Sequence, residues 1–98
     1  MHYRLMNDYA AEWPFWGSEG QCGDGDPALP SWLEADVRAW AEDFNQNYSY
    51  DSGWPTEGSA RDHKRVAQRL IQQVERTIGP KGDTVELQYW ETNRRKGL

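Results

Sequence analysis

Two amphipathic segments joined by a short polar connection constrain the fold of this 98-residue chain more than any other feature. In residues 30–48 and in residues 59–80, apolar side chains recur every three or four positions, which is the period of one helix face. The first stripe consists of Leu33, Val37, Trp40, Ala41, Phe44 and Tyr48. The second consists of Val66, Ala67, Leu70, Ile71, Val74 and Ile78. Both segments are therefore predicted to be helices, arranged as a hairpin that buries one face of each.

The ends of both helices carry capping residues. Ser31, with Glu34 three residues later, predicts a capping box at the start of the first helix. Ser59 is predicted to cap the second helix. Gly79 followed by Pro80 predicts its end, with the glycine in the left-handed conformation.

Alternating apolar residues predict one strand at each end of the chain. Tyr3 and Leu5 alternate within residues 2–7, and a similar alternation in residues 83–91 places Trp90 on the outer face. The order of elements predicts the α+β class: a two-layer β-α-α-β fold in which the helix hairpin packs on a small antiparallel sheet. The two sheet edges left unpaired suggest a homodimer joined through one of them as a hypothesis.

The length predicts one domain over residues 1–98, with a long aromatic and acidic loop at 7–30 and a flexible basic tail at 92–98. Only 37% of the residues are hydrophobic, but 13% are aromatic. Because a buried aromatic side chain removes a large area from water, a few of them can complete a thin core.

The net charge of −5 is unevenly distributed: residues 1–57 are strongly acidic and residues 58–98 are basic. One interpretation is a dipolar surface that steers a charged partner or self-associates head to tail. The other is that two oppositely charged helices lie side by side. Nucleic acid is not an expected partner, because phosphate binding needs a clearly basic surface and this domain is acidic.

The sequence carries no strong motif for catalysis, metal binding or a cofactor. Asp24 and Asp26 resemble part of a calcium loop, but the terminal glutamate of that motif is missing. Cys22 has as potential bases only His2 and His63, and His63 is predicted to lie on a solvated helix face. We therefore expect a protein that is not an enzyme and that binds neither a metal ion nor a cofactor.

The cellular location is also an expectation from the sequence. A single cysteine cannot form an internal disulfide, which favours a reducing compartment. No apolar run approaches the roughly 18 residues of a membrane span, and no signal-peptide pattern opens the chain. We expect a cytoplasmic protein without a membrane partner.

The segment WPFWGSEGQCGDGDP at 13–27 either folds back as a cap on the core or offers its aromatic rings to a partner. The sequence favours a mixture of the two. The candidate partner-binding residues are Trp13, Phe15, Trp16, Asp24, Asp26, Glu42, Asp43 and Trp54.

Three stretches of the chain, YRLMNDYAAEWPFWGSEG, LPSWLEADVRAWAEDFNQNY and RLIQQVERTIGPKGDTVELQYW, carry a resemblance. They resemble a family of short uncharacterised proteins of high-GC Gram-positive bacteria, with an opening strand of the RLMxDY type and a Gly-Pro before the last strand. The resemblance implies a stand-alone, cytoplasmic, single-domain protein, and it implies no activity.

The leading prediction for function is a non-catalytic protein-binding module, of the immunity- or inhibitor-protein type, that docks through its Trp-rich loop and acidic first helix. The step to immunity proteins is an analogy between small acidic proteins. The alternative is a small-ligand-binding protein or small enzyme with a pocket under the 8–30 loop, with Asp8, His2 or Arg38 converging on the tryptophans. A third class is a subunit of a larger assembly.

Overall fold

A computed structural model describes residues 1–92, which form two helices on a small four-stranded mixed sheet. The strands are β1 (His2–Leu5), β2 (Phe15–Gly17), β3 (Gly20–Gln21) and β4 (Thr84–Leu87). The helices are α1 (Ser31–Asn47) and α2 (Glu57–Ile78), and a short 3₁₀ turn spans Gly79–Lys81. The α+β class is confirmed. Apart from Thr92, the predicted tail at 92–98 lies outside the described residues.

The sheet differs from the predicted antiparallel pair. Its strand order is β3-β2-β1-β4, and β1 pairs in parallel with β4, from His2 opposite Thr84 to Leu5 opposite Leu87. The antiparallel prediction is wrong because period-two alternation is the same in both kinds of pairing. Strand direction is set by the connection, and the long crossover between β1 and β4 permits parallel pairing.

The 7–30 segment is not wholly a loop, because it contains the β2–β3 hairpin. β2 pairs antiparallel with β1, and Gly17 pairs with Gly20 across the hairpin turn. Gly20 has a φ of 110°, a conformation that glycine adopts without steric cost. Strands of three and two residues are too short to show a sequence period, so the pattern of residues 7–30 did not predict them.

The core lies between the sheet and the two helices, as both apolar stripes predicted. Its buried helical residues are Leu33, Val37, Trp40, Ala41, Phe44, Ala67, Leu70, Val74 and Ile78. Tyr3, Leu5 and Val85 meet them from the sheet. The hairpin segment adds Trp13 and Phe15, so aromatic rings complete the core.

The chain leaves the sheet after Leu87, so the predicted strand at 83–91 is shorter than expected. Trp90 is half-buried and does not lie on an outer sheet face. Its indole Nε1 donates to the carbonyl of Asn7 at 2.7 Å, and its ring contacts Phe44 at 5.4 Å between centroids. Residues beyond the strand therefore cover one end of the core.

The helix ends differ from the predicted caps. α1 begins at Ser31 after Pro30, without a side-chain cap, so the predicted Ser31 capping box is wrong. α2 begins two residues before Ser59, and Thr56 caps it: Thr56 Oγ1 accepts from the Ser59 amide at 3.0 Å. The Ser59 side chain completes a reciprocal capping box by accepting from the Thr56 amide. Several polar residues near each start could cap, and the sequence did not distinguish among them.

The end of α2 also differs from the prediction. Gly79 is right-handed, with a φ of −56°, and the left-handed residue is Gly82, with a φ of 87°. The 3₁₀ turn prolongs the helical path by three residues, and Pro80 fits near its start because its fixed φ is helical. None of the helices within residues 1–92 is long and apolar enough to span a membrane.

Thr56→Ala is expected to lower the free energy of unfolding by about 1 kcal/mol, because it removes an N-cap acceptor. Ser31→Ala is the matched control, since the Ser31 side chain makes no capping hydrogen bond, and it should change stability by less than about 0.5 kcal/mol. Urea unfolding of both variants measures the difference. Equal losses would contradict the assignment of the caps.

Candidate functional site

A groove of about 800 Å³ separates the segment after β1 from helix α1. We call it the α1 groove. Its lining includes Tyr9, Ala10, Glu12, Arg38, Glu42, Asn45 and Gln46.

One side of the α1 groove is fixed to the helix by Asn45. Its Oδ1 accepts from the Ala10 amide at 2.8 Å, and its Nδ2 donates to the Ala11 carbonyl at 3.0 Å. Ala10 has a φ of 63°, a left-handed conformation that costs a residue with a Cβ roughly 1–2 kcal/mol. The two hydrogen bonds hold the backbone in this conformation and so fix the shape of the groove.

Tyr9 is the aromatic residue of the α1 groove. Its side chain is 48% exposed, yet the ring packs against Phe44 at 5.4 Å and Trp90 at 5.7 Å between centroids. Both neighbouring rings are themselves anchored, Phe44 in the helix stripe and Trp90 by its indole hydrogen bond. The ring is thus a firmly held surface that remains open to solvent.

Arg38 is the cation of the α1 groove, and its charge is already compensated. Its Nη1 lies 2.9 Å from Asp24 Oδ1, and its Nη2 lies 3.0 Å from Glu34 Oε1. The guanidinium also stacks over the Trp13 ring, 4.7 Å from the ring centroid. The hydrogen bond to Asp24 is the main reason that the pKa of Arg38 is raised.

Two further carboxylates of the groove have no such compensation. Glu12 and Glu42 are exposed, and neither forms an ion pair within the described part of the chain. Glu42 Oε1 accepts only from the neutral amide of Gln46, at 2.8 Å. Because Arg38 is matched by two carboxylates of its own, the groove as a whole is negatively charged.

Three of the predicted partner-binding residues are buried. Trp13 is 2% exposed, and Phe15 and Trp54 are 0% exposed. The indole Nε1 groups of both tryptophans donate to main-chain carbonyls, Trp13 to that of Asp26 and Trp54 to that of Glu91. Trp13 and Phe15 pack on each other in the core, and Trp54 packs against Tyr48 and His63. None of the three presents a surface to a partner in this structure.

The remaining aromatic and hairpin-loop candidates each have a different hydrogen-bond partner. Trp16 is half-buried, and its Nε1 donates to the Met6 carbonyl at 2.8 Å. The carboxylate of Asp26 accepts from the Tyr3 hydroxyl at 2.9 Å. Burial and this hydrogen bond raise the pKa of Tyr3 to about 12. Asp24, by contrast, is tied to the groove through Arg38.

The two adjacent acids of α1 point to different neighbours. Glu42 lines the α1 groove, whereas Asp43 accepts from Asn47 at 2.8 Å and interacts electrostatically with His63. The structure therefore brings Glu42 and Asp24 to one site and leaves Asp43 outside it. The sequence pattern does not single out the other lining residues, because their proximity depends on how residues 8–12 lie against α1. These residues are Tyr9, Glu12, Asn45 and Gln46.

A second cluster of polar residues is buried near the end of the described chain. Asn7, His63 and Glu91 are at most 1% exposed. Asn7 Nδ2 donates to Glu91 Oε2 at 2.8 Å, and the His63 ring stacks on Trp40 at 4.9 Å between centroids. The cluster joins the segment after β1, helix α2 and the segment after β4.

The solvated position predicted for His63 is wrong. His63, Ala67, Leu70, Val74 and Ile78 are spaced as one helix face, so the stripe of α2 extends one turn further toward its start. Burial lowers the pKa of His63 to about 4, although Asp43 and the Trp40 carbonyl act in the other direction. Burial also raises the pKa of Glu91. The histidine is neutral at pH 7 and serves as part of the core.

Within residues 1–92, no group of three or more histidine, cysteine or acidic side chains could hold a metal ion. Burial and the nearby Asp26 raise the pKa of the Cys22 thiol, which disfavours the reactive thiolate. Asp24 and Asp26, the two acids of the calcium-like run, bind Arg38 and Tyr3 respectively.

The comparison with protein families finds a match over the described chain. The family described as Serratia CdiI immunity protein-like matches residues 1–92, which is the whole described part of the chain. None of the curated proteins matches the sequence.

Proposed function

The chain belongs to the Serratia CdiI immunity protein-like family, and from that premise we propose that it is a non-catalytic immunity protein that binds a toxin protein in the cytoplasm and blocks it. Family membership supports a protein partner of this kind. The α1 groove supports the proposal because it offers such a partner a charged surface whose sides are held by hydrogen bonds and by helix α1.

One observation carries the choice of surface: the acidic side of the molecule is not neutralised by its own basic helix. α1 and α2 pack through their apolar stripes, and no ion pair joins them in the part of the chain that the structure describes. Exposed acids of α1 and the preceding segment therefore face solvent. Such a surface steers and selects a partner of opposite charge.

The test is protection of a cell from the toxin. The protein encoded by the neighbouring gene is expressed in a bacterial host with and without this chain, and growth is followed. We expect arrest with the neighbour alone, growth when both are present, and a one-to-one complex of the purified proteins by calorimetry. A neighbour that does not arrest growth, or arrest that this chain does not relieve, would contradict the proposed function.

A small-ligand-binding protein is the second candidate, and the α1 groove favours it because residues of the 8–30 segment do border a cavity that contains Arg38. Thermal unfolding in the presence of a panel of metabolites separates the two. A ligand that raises the melting temperature, together with failure to bind the neighbouring protein, would favour this candidate over the immunity protein.

A homodimer through an edge of the sheet stays a prediction. In the four-stranded sheet, the edge strands are β3 and β4. Light scattering at high protein concentration tests it, and a monomeric mass would exclude the dimer.

A further inference from the structure

We propose that the α1 groove binds a segment of the toxin that carries arginine, with the guanidinium held between Glu12, Glu42 and the ring of Tyr9. The inference rests on the proposed function, since it names the surface and the partner chemistry through which this immunity protein acts.

The shape of the groove suits a short stretch of polypeptide. Its volume of about 800 Å³ lies in the range of pockets that enclose small ligands and is larger than a single side chain needs. Both sides are fixed before any partner arrives, one by the Asn45 hydrogen bonds and the other by helix α1 itself. Preorganised walls reduce the entropy that binding would otherwise cost.

The charge of the groove selects a cationic occupant. Arg38 is already engaged by Asp24 and Glu34, so it cannot neutralise the other acids. Glu42 uses Oε1 for the Gln46 amide and makes no recorded hydrogen bond through Oε2 within residues 1–92. Glu12 is likewise exposed and unpaired in that part of the chain. A cation placed here gains attraction without breaking an existing ion pair.

The aromatic ring distinguishes arginine from a simple point charge. Tyr9 is half exposed and lines the same groove as Glu12 and Glu42, neither of which forms an ion pair within residues 1–92. A guanidinium can stack on an aromatic face while it donates to carboxylates at its edge, whereas an ammonium group lacks this planar geometry. The combination of Tyr9, Glu12 and Glu42 therefore fits arginine better than lysine.

The first experiment compares matched neutral variants. Glu12→Gln/Glu42→Gln removes the two groove charges, and Glu57→Gln/Glu75→Gln removes two exposed charges of α2, so both proteins have the same net charge. We expect the groove variant to bind the neighbouring-gene toxin at least about tenfold more weakly than wild type, with a smaller salt dependence, and the α2 variant to bind within about twofold. Equal affinities of the two variants for the toxin would contradict the groove as the binding site but would not contradict the proposed function. Absence of binding by the wild type would instead overturn the proposed function.

A second experiment does not need the toxin. A tetra-arginine peptide is titrated into the wild-type protein and followed by the backbone amide signals in NMR spectra. We expect the signals of Ala10 and Gln46 to shift most, and a tetra-lysine peptide to bind more weakly. Shifts spread over all acidic surfaces, or the same affinity for the groove variant, would overturn the inference.

Placing a positive charge in the groove gives a third comparison. Gln46→Arg should weaken toxin binding, because it occupies the groove with a cation, whereas Gln72→Arg adds the same charge on the exposed side of α2 and should not. The basic face of α2 on a second copy of this chain is the competing occupant. Self-association in sedimentation that Gln46→Arg abolishes would overturn the inference in favour of that copy.

Discussion

Trp54→Ala is expected to destabilise the protein by about 3–5 kcal/mol, the usual cost of removing a large buried aromatic side chain. Trp54 is 0% exposed, its ring lies 4.5 Å from the His63 ring and 5.4 Å from the Tyr48 ring between centroids, and its indole donates to the Glu91 carbonyl. The substitution would leave a cavity and an unpaired carbonyl beside the buried polar cluster. Since small domains are stable by only about 5–15 kcal/mol, a sizeable fraction of the variant would be unfolded at elevated temperature.

Trp32→Ala is the matched control, because Trp32 is 56% exposed on α1. It should lower stability by less than about 1 kcal/mol. Denaturant unfolding of both variants measures the contrast, and similar midpoints would show that the connection at 48–56 is not packed as the structure has it.

The second large effect is a loss of stability in acid caused by His63. Burial lowers the pKa of the folded-state imidazole to about 4, whereas in the unfolded chain it has its ordinary value near 6.5. The unfolded state therefore binds the proton first. The contribution of neutral His63 is complete above about pH 6.5 and is lost as the pH falls toward 4. From pH 7 to pH 5 the linkage relation gives a loss of about 2 kcal/mol.

Glu91 changes the stability in the opposite direction as the pH falls. Burial raises its pKa, so the folded state takes up a proton more readily than the unfolded state. The contribution of His63 to the pH dependence of stability is therefore obtained by comparing wild type with a His63 variant, because both proteins retain Glu91. Between pH 7 and pH 5, wild type should lose about 2 kcal/mol more than His63→Gln does.

Urea unfolding at several pH values gives the free energies. Parallel pH profiles for wild type and His63→Gln would contradict a buried neutral imidazole.

The two helices could be predicted because their signal is local. Leu33, Val37 and Trp40 are buried as their spacing indicates, and the same spacing, applied one turn further, would also have identified His63 as a core residue. The caps were less predictable. Ser31, Ser59 and Thr56 all have suitable side chains, and the entry path of the chain decides which of them lies next to a free amide.

The candidate site was predicted only in part. The acidity of α1 and the positions of Glu42 and Asp24 could be seen in the sequence, and both residues border or support the α1 groove. The other side of the groove could not be seen, because the hydrogen bonds that join Asn45 with Ala10 and Ala11 connect residues more than 30 positions apart. The buried state of Trp13 and Trp54 was likewise a question of tertiary contacts, since a tryptophan in a loop serves equally well as core or as interface.

The sequence by itself determined the two amphipathic helices, the need for aromatic rings in a thin core and the acidic character of the first half, because these depend on composition and on periods of a few residues. Only the tertiary structure decided the parallel pairing of β1 with β4, the β2–β3 hairpin and the α1 groove. Strand direction and the contacts between distant side chains depend on the path of the whole chain. Local sequence patterns do not specify that path.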